Sequence, residues 1–297
     1  MTKNIFVSII GRPNVGKSSL LNRLVGEKIA IVTDKPQTTR NRITGVLTEN
    51  DIQYVFVDTP GVHTPRNKLG SFMVNQAGSA ISGMDAIIFV TECERKITES
   101  EKNLIEAIKG ASVPALLVIN KIDSVKDKEV ILEKIAAFSE LFNFSAIVPL
   151  SALKGEGIDI LMSELMPFCT EGPHMFPSDT LTDIPERAIV SETIREKLLL
   201  NMRDEIPHGI AVVIEEMKDR ENGAMIDITA TIICERESHK GMVIGKQGAM
   251  LKKIASEARR DIETFLDVKV NLQCWVKIRE GWRDSDVQLK NFGYREN

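Results

Sequence analysis

The sequence is poor in aromatic residues, 5% of 297, and holds only four cysteines. No stretch approaches the ~18 consecutive apolar residues that cross a bilayer as a helix. Cys93, Cys169, Cys234 and Cys274 lie far apart, form no C-x-x-C and have no histidine cluster beside them. That argues against a disulfide framework and a zinc site, and four reduced, mostly buried thiols are expected. An excess of charge of one sign is missing too. With 38 Lys and Arg against 42 Asp and Glu, the net charge is −4, which excludes a uniformly basic, nucleic-acid-coating chain but not a local basic patch. Met1-Thr2-Lys3-Asn4 leads into an apolar run too short for a secretion signal, so a protein neither exported nor membrane-spanning is expected.

Two halves follow different patterns. Up to about residue 168, Ile/Val-rich runs at 5–10, 43–47, 52–57, 86–90, 115–119 and 146–150 alternate with helix-length segments such as 17–25 and 100–108. This predicts a doubly wound α/β domain with a mostly parallel sheet. The 43–47 and 52–57 runs are joined by only residues 48–51, which suits one antiparallel hairpin within that sheet. Gly172, Pro173, Pro177 and Pro185 then punctuate a polar stretch that reads as a linker. The expected bounds are residues 1–170 for the first domain, 171–186 for the linker and 187–297 for a smaller α+β domain. In the latter, Ile194, Leu198, Leu199, Met202 and Ile206 mark an amphipathic helix ended by Pro207-His208-Gly209. Alternating residues from Ile226 to Cys234 and from Val268 to Ile278 mark strands, and Leu251, Ile254, Ala255, Ala258, Ile262 and Phe265 mark a helix between them. The order predicted is helix, strand, strand, helix, strand.

The segment Gly11-Arg12-Pro13-Asn14-Val15-Gly16-Lys17-Ser18-Ser19 holds G-x-x-x-x-G-K-S between a strand and a helix. Its glycines let backbone N–H groups face phosphate, Lys17 reaches the β- and γ-phosphates, and Ser18 can bind Mg²⁺. Asp58-Thr59-Pro60-Gly61 ends the third strand, where Asp58 can hold Mg²⁺ through water and the Gly61 amide can sense a γ-phosphate. Asn120-Lys121-Ile122-Asp123 and Ser151-Ala152 end two later strands. A carboxylate at Asp123 can take both guanine N–H donors, the Lys121 stem can cover the base, and the Ser151-Ala152 amides can meet guanine O6. Adenine would leave those groups unpaired. Each short motif is weak alone; four in order at strand C-terminal ends point to a guanine nucleotide.

These motifs resemble those of Ras-like translation-factor GTPases over residues 1–168. In that class a threonine of the first switch closes over Mg²⁺, and Pro36-Gln37-Thr38-Thr39-Arg40 lies in the matching place, with Thr39 favoured over Thr38. Where Ras has a glutamine that orients water, this chain has Val62, which implies slow intrinsic hydrolysis with the rate supplied by another group. Related GTPases with asparagine at the place of Asn14 hold a potassium ion there; the alternative is that Asn14 only stabilises the turn. Arg40 and Arg42 are candidate charges in cis, though loop arginines are commonly solvated, and His63 is a weaker candidate.

In the second half, Gly245-Lys246-Gln247-Gly248 is a G-x-x-G before a helix, the arrangement with which KH domains clamp about four nucleotides. From 239 to 260, Lys240, Lys246, Lys252, Lys253, Arg259 and Arg260 face a single acid, Glu257. Lys252 and Arg259 share one helix face, and Lys253 and Arg260 another, placed to meet phosphates. The element order resembles a type II KH fold, with an extra short helix near 239–243. Trp275 either stacks on a base or packs on the sheet, and packing is the expectation.

Together, 11–18, 36–40, 58–61, Ile194-Arg195-Glu196-Lys197-Leu198, 243–248 and Trp275-Val276-Lys277 resemble the Era family, bacterial Ras-like GTPases with a C-terminal KH domain. The resemblance implies GTP/GDP, Mg²⁺ and candidate K⁺ binding and slow hydrolysis, with Lys17, Thr39, Gly61 and Asn14 acting on the phosphates. It also implies a cytoplasmic monomer that binds the 3′ end of 16S rRNA on the 30S subunit through Gly245, Lys246, Gln247, Gly248, Lys252, Lys253 and Arg259. Weak peripheral association with the membrane is part of the same implication. The alternative is a constitutive RNA binder in which nucleotide is mainly structural.

Overall fold

A computed structural model describes residues 1–61, 67–81, 83–93, 96–202, 209–220 and 223–294. It divides into two compact units: the first holds Met1–Val32, Thr39–Pro65 and Gly70–Asp183, the second Thr33–Thr38, Arg66–Leu69 and Ile184–Asn297.

The first unit follows the predicted alternation: β1 (Lys3–Gly11), α1 (Lys17–Val25), β2 (Ile43–Glu49), β3 (Ile52–Asp58), α2 (Lys68–Ser79), β4 (Ala86–Glu92), α3 (Glu99–Ala111), β5 (Ala115–Asn120), α4 (Glu129–Ser139), β6 (Ala146–Pro149), α5 (Ile158–Leu165) and β7 (Thr170–Glu171). The strand order is β2-β3-β1-β4-β5-β6, parallel except for the β2/β3 hairpin and the short β7, which runs antiparallel to the start of β1. Ile87, Phe89, Leu117 and Ile119 of β4 and β5 meet Ile105, Ile108 and Phe138 of α3 and α4 in one apolar layer. Helix α3 starts at a capping box, in which the Thr98 hydroxyl accepts from the Glu101 amide and Glu101 accepts from the Thr98 amide. Stacking βα units puts the C-terminal ends of the parallel strands on one edge, where the 11–18, 58–61, 120–123 and 151–152 segments sit.

The stretch expected as a linker is ordered up to Asp183 and lies along the hairpin. Gln53, fully buried, accepts from the Met175 and Phe176 amides at 2.7 and 2.9 Å. The Val46 amide donates to Leu181 O at 2.8 Å, and Thr182 Oγ1 donates to Thr44 O at 2.6 Å. Its backbone thus satisfies polar groups of the β2 edge that would otherwise face water.

The second unit runs α6 (Glu186–Asn201), β8 (Ile210–Asp219), β9 (Met225–Cys234), α7 (Glu237–Ile244), α8 (Ala249–Leu266), β10 (Lys269–Ile278) and α9 (Asp286–Asn291). β9 is central, antiparallel to β8 and parallel to β10, with an irregularity between Ile214 and Glu216. Val190, Ile194 and Leu198 of α6 join Ile254, Ala258 and Ile262 of α8 on the inward residues of the sheet. Helix α6 stops at Asn201, earlier than expected; Ile206 and Pro207-His208 lie outside the described residues. Phe265, placed in the apolar stripe by its spacing, is instead exposed. Only Cys234 is buried; the other three thiols are half-buried, a correction to the composition-based expectation. Among the described residues no helix is long and apolar enough to cross a membrane.

Candidate functional site

The loop after β1 wraps around Lys17, whose buried ammonium donates to Gly11 O at 3.1 Å and Arg12 O at 2.8 Å. Gly16 closes it at φ 96°, where an added Cβ would stand 2.2 Å from Asn120 Nδ2. Neither the angle nor the space admits a side chain. Val15 is buried, Asn14 is exposed and left-handed at φ 65°, and Arg12, Pro13 and Ser19 are half-buried. Arg12 faces Glu92 and Glu101, each 3.5 Å away.

Three oxygen donors converge beside Lys17. Ser18 Oγ donates to Asp58 Oδ2 at 2.7 Å and stands 2.7 Å from Thr39 Oγ1. Asp58 is fully buried, and its Oδ1 has no hydrogen-bond partner among the described residues. Burial lifts this carboxyl to about 6 against the pull of Lys17, and burial lowers Lys17 to about 8 while Asp58 holds it up. Two hydroxyls and one carboxylate, whose Oδ1 is orphaned, form a hard-oxygen set that fits Mg²⁺. Thr38 lies elsewhere: its hydroxyl donates to Lys35 O at 2.6 Å. Thr59 Oγ1 donates to Ile9 O at 3.0 Å, Pro60 is buried, and Gly61 backs onto Pro13, where a Cβ would stand 2.6 Å from the Pro13 nitrogen.

The base motifs are tied to the same loop. Asn120 Nδ2 donates to Val15 O at 2.9 Å, and Asn120 Oδ1 accepts from the Ala152 amide at 3.0 Å. One buried amide thus fixes the phosphate loop against the last motif. Ser151 Oγ donates to Asp123 Oδ1 at 2.6 Å, and Lys121 Nζ donates to Asn14 O at 2.6 Å and Glu92 Oε2 at 2.7 Å. Sequence reasoning missed Arg23, which donates to Ala152 O at 3.1 Å and Leu153 O at 2.7 Å and so holds the turn after Ser151 from α1. It also missed Glu92 and Glu101 behind Arg12; no local pattern marks contacts so distant in sequence. Arg40, expected to be solvated in its loop, is buried, whereas Arg42 is exposed. Val62 and His63 lie outside the described residues.

In the second unit the G-x-x-G turns sharply between α7 and α8. Gly245 has φ 72° and ψ 179°, and a Cβ there would meet Met250 Cβ at 2.6 Å. Gln247 and Gly248 are left-handed, Lys246 and Gln247 are exposed, and Gly248 caps α8. On α8, Lys252, Lys253, Arg259 and Arg260 are exposed. Lys253 faces Glu257 at 3.9 Å and Arg259 faces Glu263 at 3.8 Å, while Lys246 and Lys252 have no ion pair among the described residues. Trp275 points outward, 59% exposed, a correction to the expectation that it packs on the sheet. The second tryptophan, Trp282, is the buried one; its Nε1 donates to Gly209 O at 3.1 Å.

Residues 6–121 match the family described as "50S ribosome-binding GTPase", and residues 205–283 match the KH domain family. The GTPase Era of Ruminiclostridium cellulolyticum is 50% identical over 99% of this chain and 98% of its own length, and that of Clostridioides difficile is 49% identical over the whole of both. The chain belongs to the Era family. Two solved Era structures, each 37% identical with a TM-score of 0.95, cover all or nearly all of both chains. One is an Aquifex aeolicus Era variant bound to GDP and AlF4⁻, the other an Era in complex with MgGDPNP and nucleotides 1506–1542 of 16S ribosomal RNA. This Era-family chain is therefore a GTPase: a Ras-like P-loop domain followed by a KH domain.

Proposed function

We propose that the protein is a GTP-gated RNA-binding switch that holds the 3′ end of 16S rRNA in its KH domain and assists maturation of the 30S subunit. The observation that carries the reading is the G-x-x-G turn, left-handed at Gln247 and Gly248 with Lys246 exposed and followed by the exposed Lys252, Lys253, Arg259 and Arg260 of α8, on the same chain as a P-loop domain. The Era relative solved with MgGDPNP and 16S rRNA supports the choice of RNA.

Lys17 and the loop amides neutralise the phosphates, and Asp123, Lys121, Ser151 and Ala152 select guanine. Ser18, Thr39 and Asp58 would hold Mg²⁺, which would supply positive charge against that of the phosphates. Thr39 and the Gly61 amide respond to the γ-phosphate, so the loops that carry them order with GTP and relax after hydrolysis. Asn14 would help hold a potassium ion, which would add further positive charge beside the phosphates. The protein acts as a cytoplasmic monomer, and any hold on the membrane surface is electrostatic or indirect.

The test is the affinity of the full chain for a 3′-end small-subunit rRNA oligonucleotide and a scrambled control, at fixed salt, with a non-hydrolysable GTP analogue and with GDP. Selective binding that favours the GTP analogue is expected. Selective binding indifferent to nucleotide would instead make the protein a constitutive RNA binder.

A further inference from the structure

The chain passes from the second compact unit to the first between Thr38 and Thr39. Residues 33–38 close on themselves: Thr33 Oγ1 and Thr38 Oγ1 are 2.6 Å apart, the Lys35 amide donates to Thr33 Oγ1 at 3.0 Å, and Gln37 is left-handed. The Thr38 hydroxyl is used inside this turn, on Lys35 O. Its carbonyl is not. That carbonyl accepts from Nη2 of Arg195 on α6, a guanidinium only 1% exposed. Glu192, one turn earlier on α6, accepts from Arg195 Nε at 2.8 Å and fixes the plane of the group. Nη1 is buried with no hydrogen-bond partner among the described residues.

A buried guanidinium is an expensive way to satisfy one carbonyl, and an apolar side chain would serve the helix core better. What the charge does achieve is positional. The peptide it grips presents the next residue, Thr39, whose hydroxyl stands 2.7 Å from Ser18 Oγ. We propose that Arg195 is a positioning residue for the metal-facing threonine: by holding the Thr38 carbonyl it fixes the peptide that presents Thr39 to Mg²⁺. This rests on the reading of Thr39 as a ligand of that ion.

The experiment measures, on the full chain, the Mg²⁺ concentration for half-maximal binding of a fluorescent non-hydrolysable GTP analogue, and of GDP as reference, in Arg195→Met, Arg195→Lys, Glu192→Gln and Thr39→Ala. Thr39→Ala tests the ligand reading itself and is expected to raise the requirement for the analogue by about tenfold or more while sparing GDP. Arg195→Met is expected to raise it by about fivefold to tenfold, again sparing GDP, and Glu192→Gln by a smaller factor in the same direction. Arg195→Lys keeps the charge but lacks the fork needed to reach Glu192 and Thr38 together, so it should fall between wild type and Arg195→Met. If Thr39→Ala behaves as expected while Glu192→Gln and Arg195→Lys keep the wild-type requirement, the positioning role is wrong and the ligand reading stands. Equal loss for GDP and the analogue would reduce Arg195 to a structural residue. If Thr39→Ala has no effect, the ligand reading fails first. Should Arg195→Met not fold, the half-exposed Glu192 and the lysine variant decide the question.

Discussion

Replacing Asp58 by asparagine should stabilise the nucleotide-free protein while removing its Mg²⁺-dependent affinity for GTP. The Asp58 carboxyl is fully buried and titrates at about 6 rather than the ordinary 3.8. Because the native pKa is the higher one, the native state binds the proton more tightly. Its stabilising share is complete below about pH 4 and is lost as pH rises through about 6. At pH 7.5 the full gap of about two pH units is charged against the fold, about 3 kcal/mol at ~1.4 kcal/mol per unit. Asparagine keeps the shape and can still accept from Ser18 Oγ, but it withdraws the carboxylate that holds up the charge of Lys17, so a net gain of about 1–3 kcal/mol is expected. The difference between variant and wild type should roughly halve at pH 5, where most of the native carboxyl is protonated. Urea unfolding in EDTA followed by far-UV circular dichroism measures it; both tryptophans lie in the second unit, so their fluorescence would miss the transition. A variant less stable than wild type at pH 7.5, or a difference that does not change with pH, would refute the claim that this carboxylate is held at a cost.

Four further outcomes are expected. Gly16→Ala forces a side chain onto Asn120 Nδ2 at a left-handed position, so GTP and GDP affinity measured by calorimetry should both fall at least about a hundredfold. Gly245→Ala meets Met250 in the G-x-x-G turn and should weaken RNA binding about tenfold or more with GTP binding unchanged. Lys252→Ala should in addition lower the salt slope of RNA affinity by about 0.7. GTP turnover should be faster in KCl than in NaCl, and Asn14→Ala should erase the difference; equal rates in the two salts would remove potassium from the account.

The runs at 11–18, 58–61, 120–123 and 151–152 were legible as motifs because each is a short run of residues at a strand end, where backbone geometry is local. The 17–25 segment became α1 with the same ends, and the 48–51 loop did close an antiparallel hairpin. What escaped was held by long-range contacts. Arg23 reads as one polar residue on a helix until the fold brings residues 152–153 to it. The proline-rich stretch reads as a linker, and its composition says nothing of Gln53, the partner that accepts from its Met175 and Phe176 amides. Strand β8 was implied by the predicted order but given no residues, since Ile210–Asp219 mixes an apolar start with a charged end and so shows no simple alternation. Trp275 was different: its register shares a face with Gln273 and Lys277, and the strand's alternation already pointed it outward.

The distribution of buried charge shows how the site is kept in shape. Glu101 and Lys134 are both fully buried and 3.8 Å apart, and Glu101 also accepts from Thr91 Oγ1 and from the cap of α3. Such a pair is weak support for stability, because desolvation offsets the attraction. Its location matters more: Glu101 is one of the two carboxylates that face Arg12, and the other, Glu92, accepts from Lys121. Arg12 of the 11–18 loop and Lys121 of the 120–123 motif therefore share one acid, Glu92, while the second acid on Arg12, Glu101, is fixed by a helix cap. Asn120 makes the same link with neutral groups, from Val15 to Ala152. Phosphate and base recognition are thus joined through β4, β5 and α3 before any ligand is considered. The charges buried beside the loop, Lys17 with Asp58 and Glu101 with Lys134, trade stability for a preorganised site.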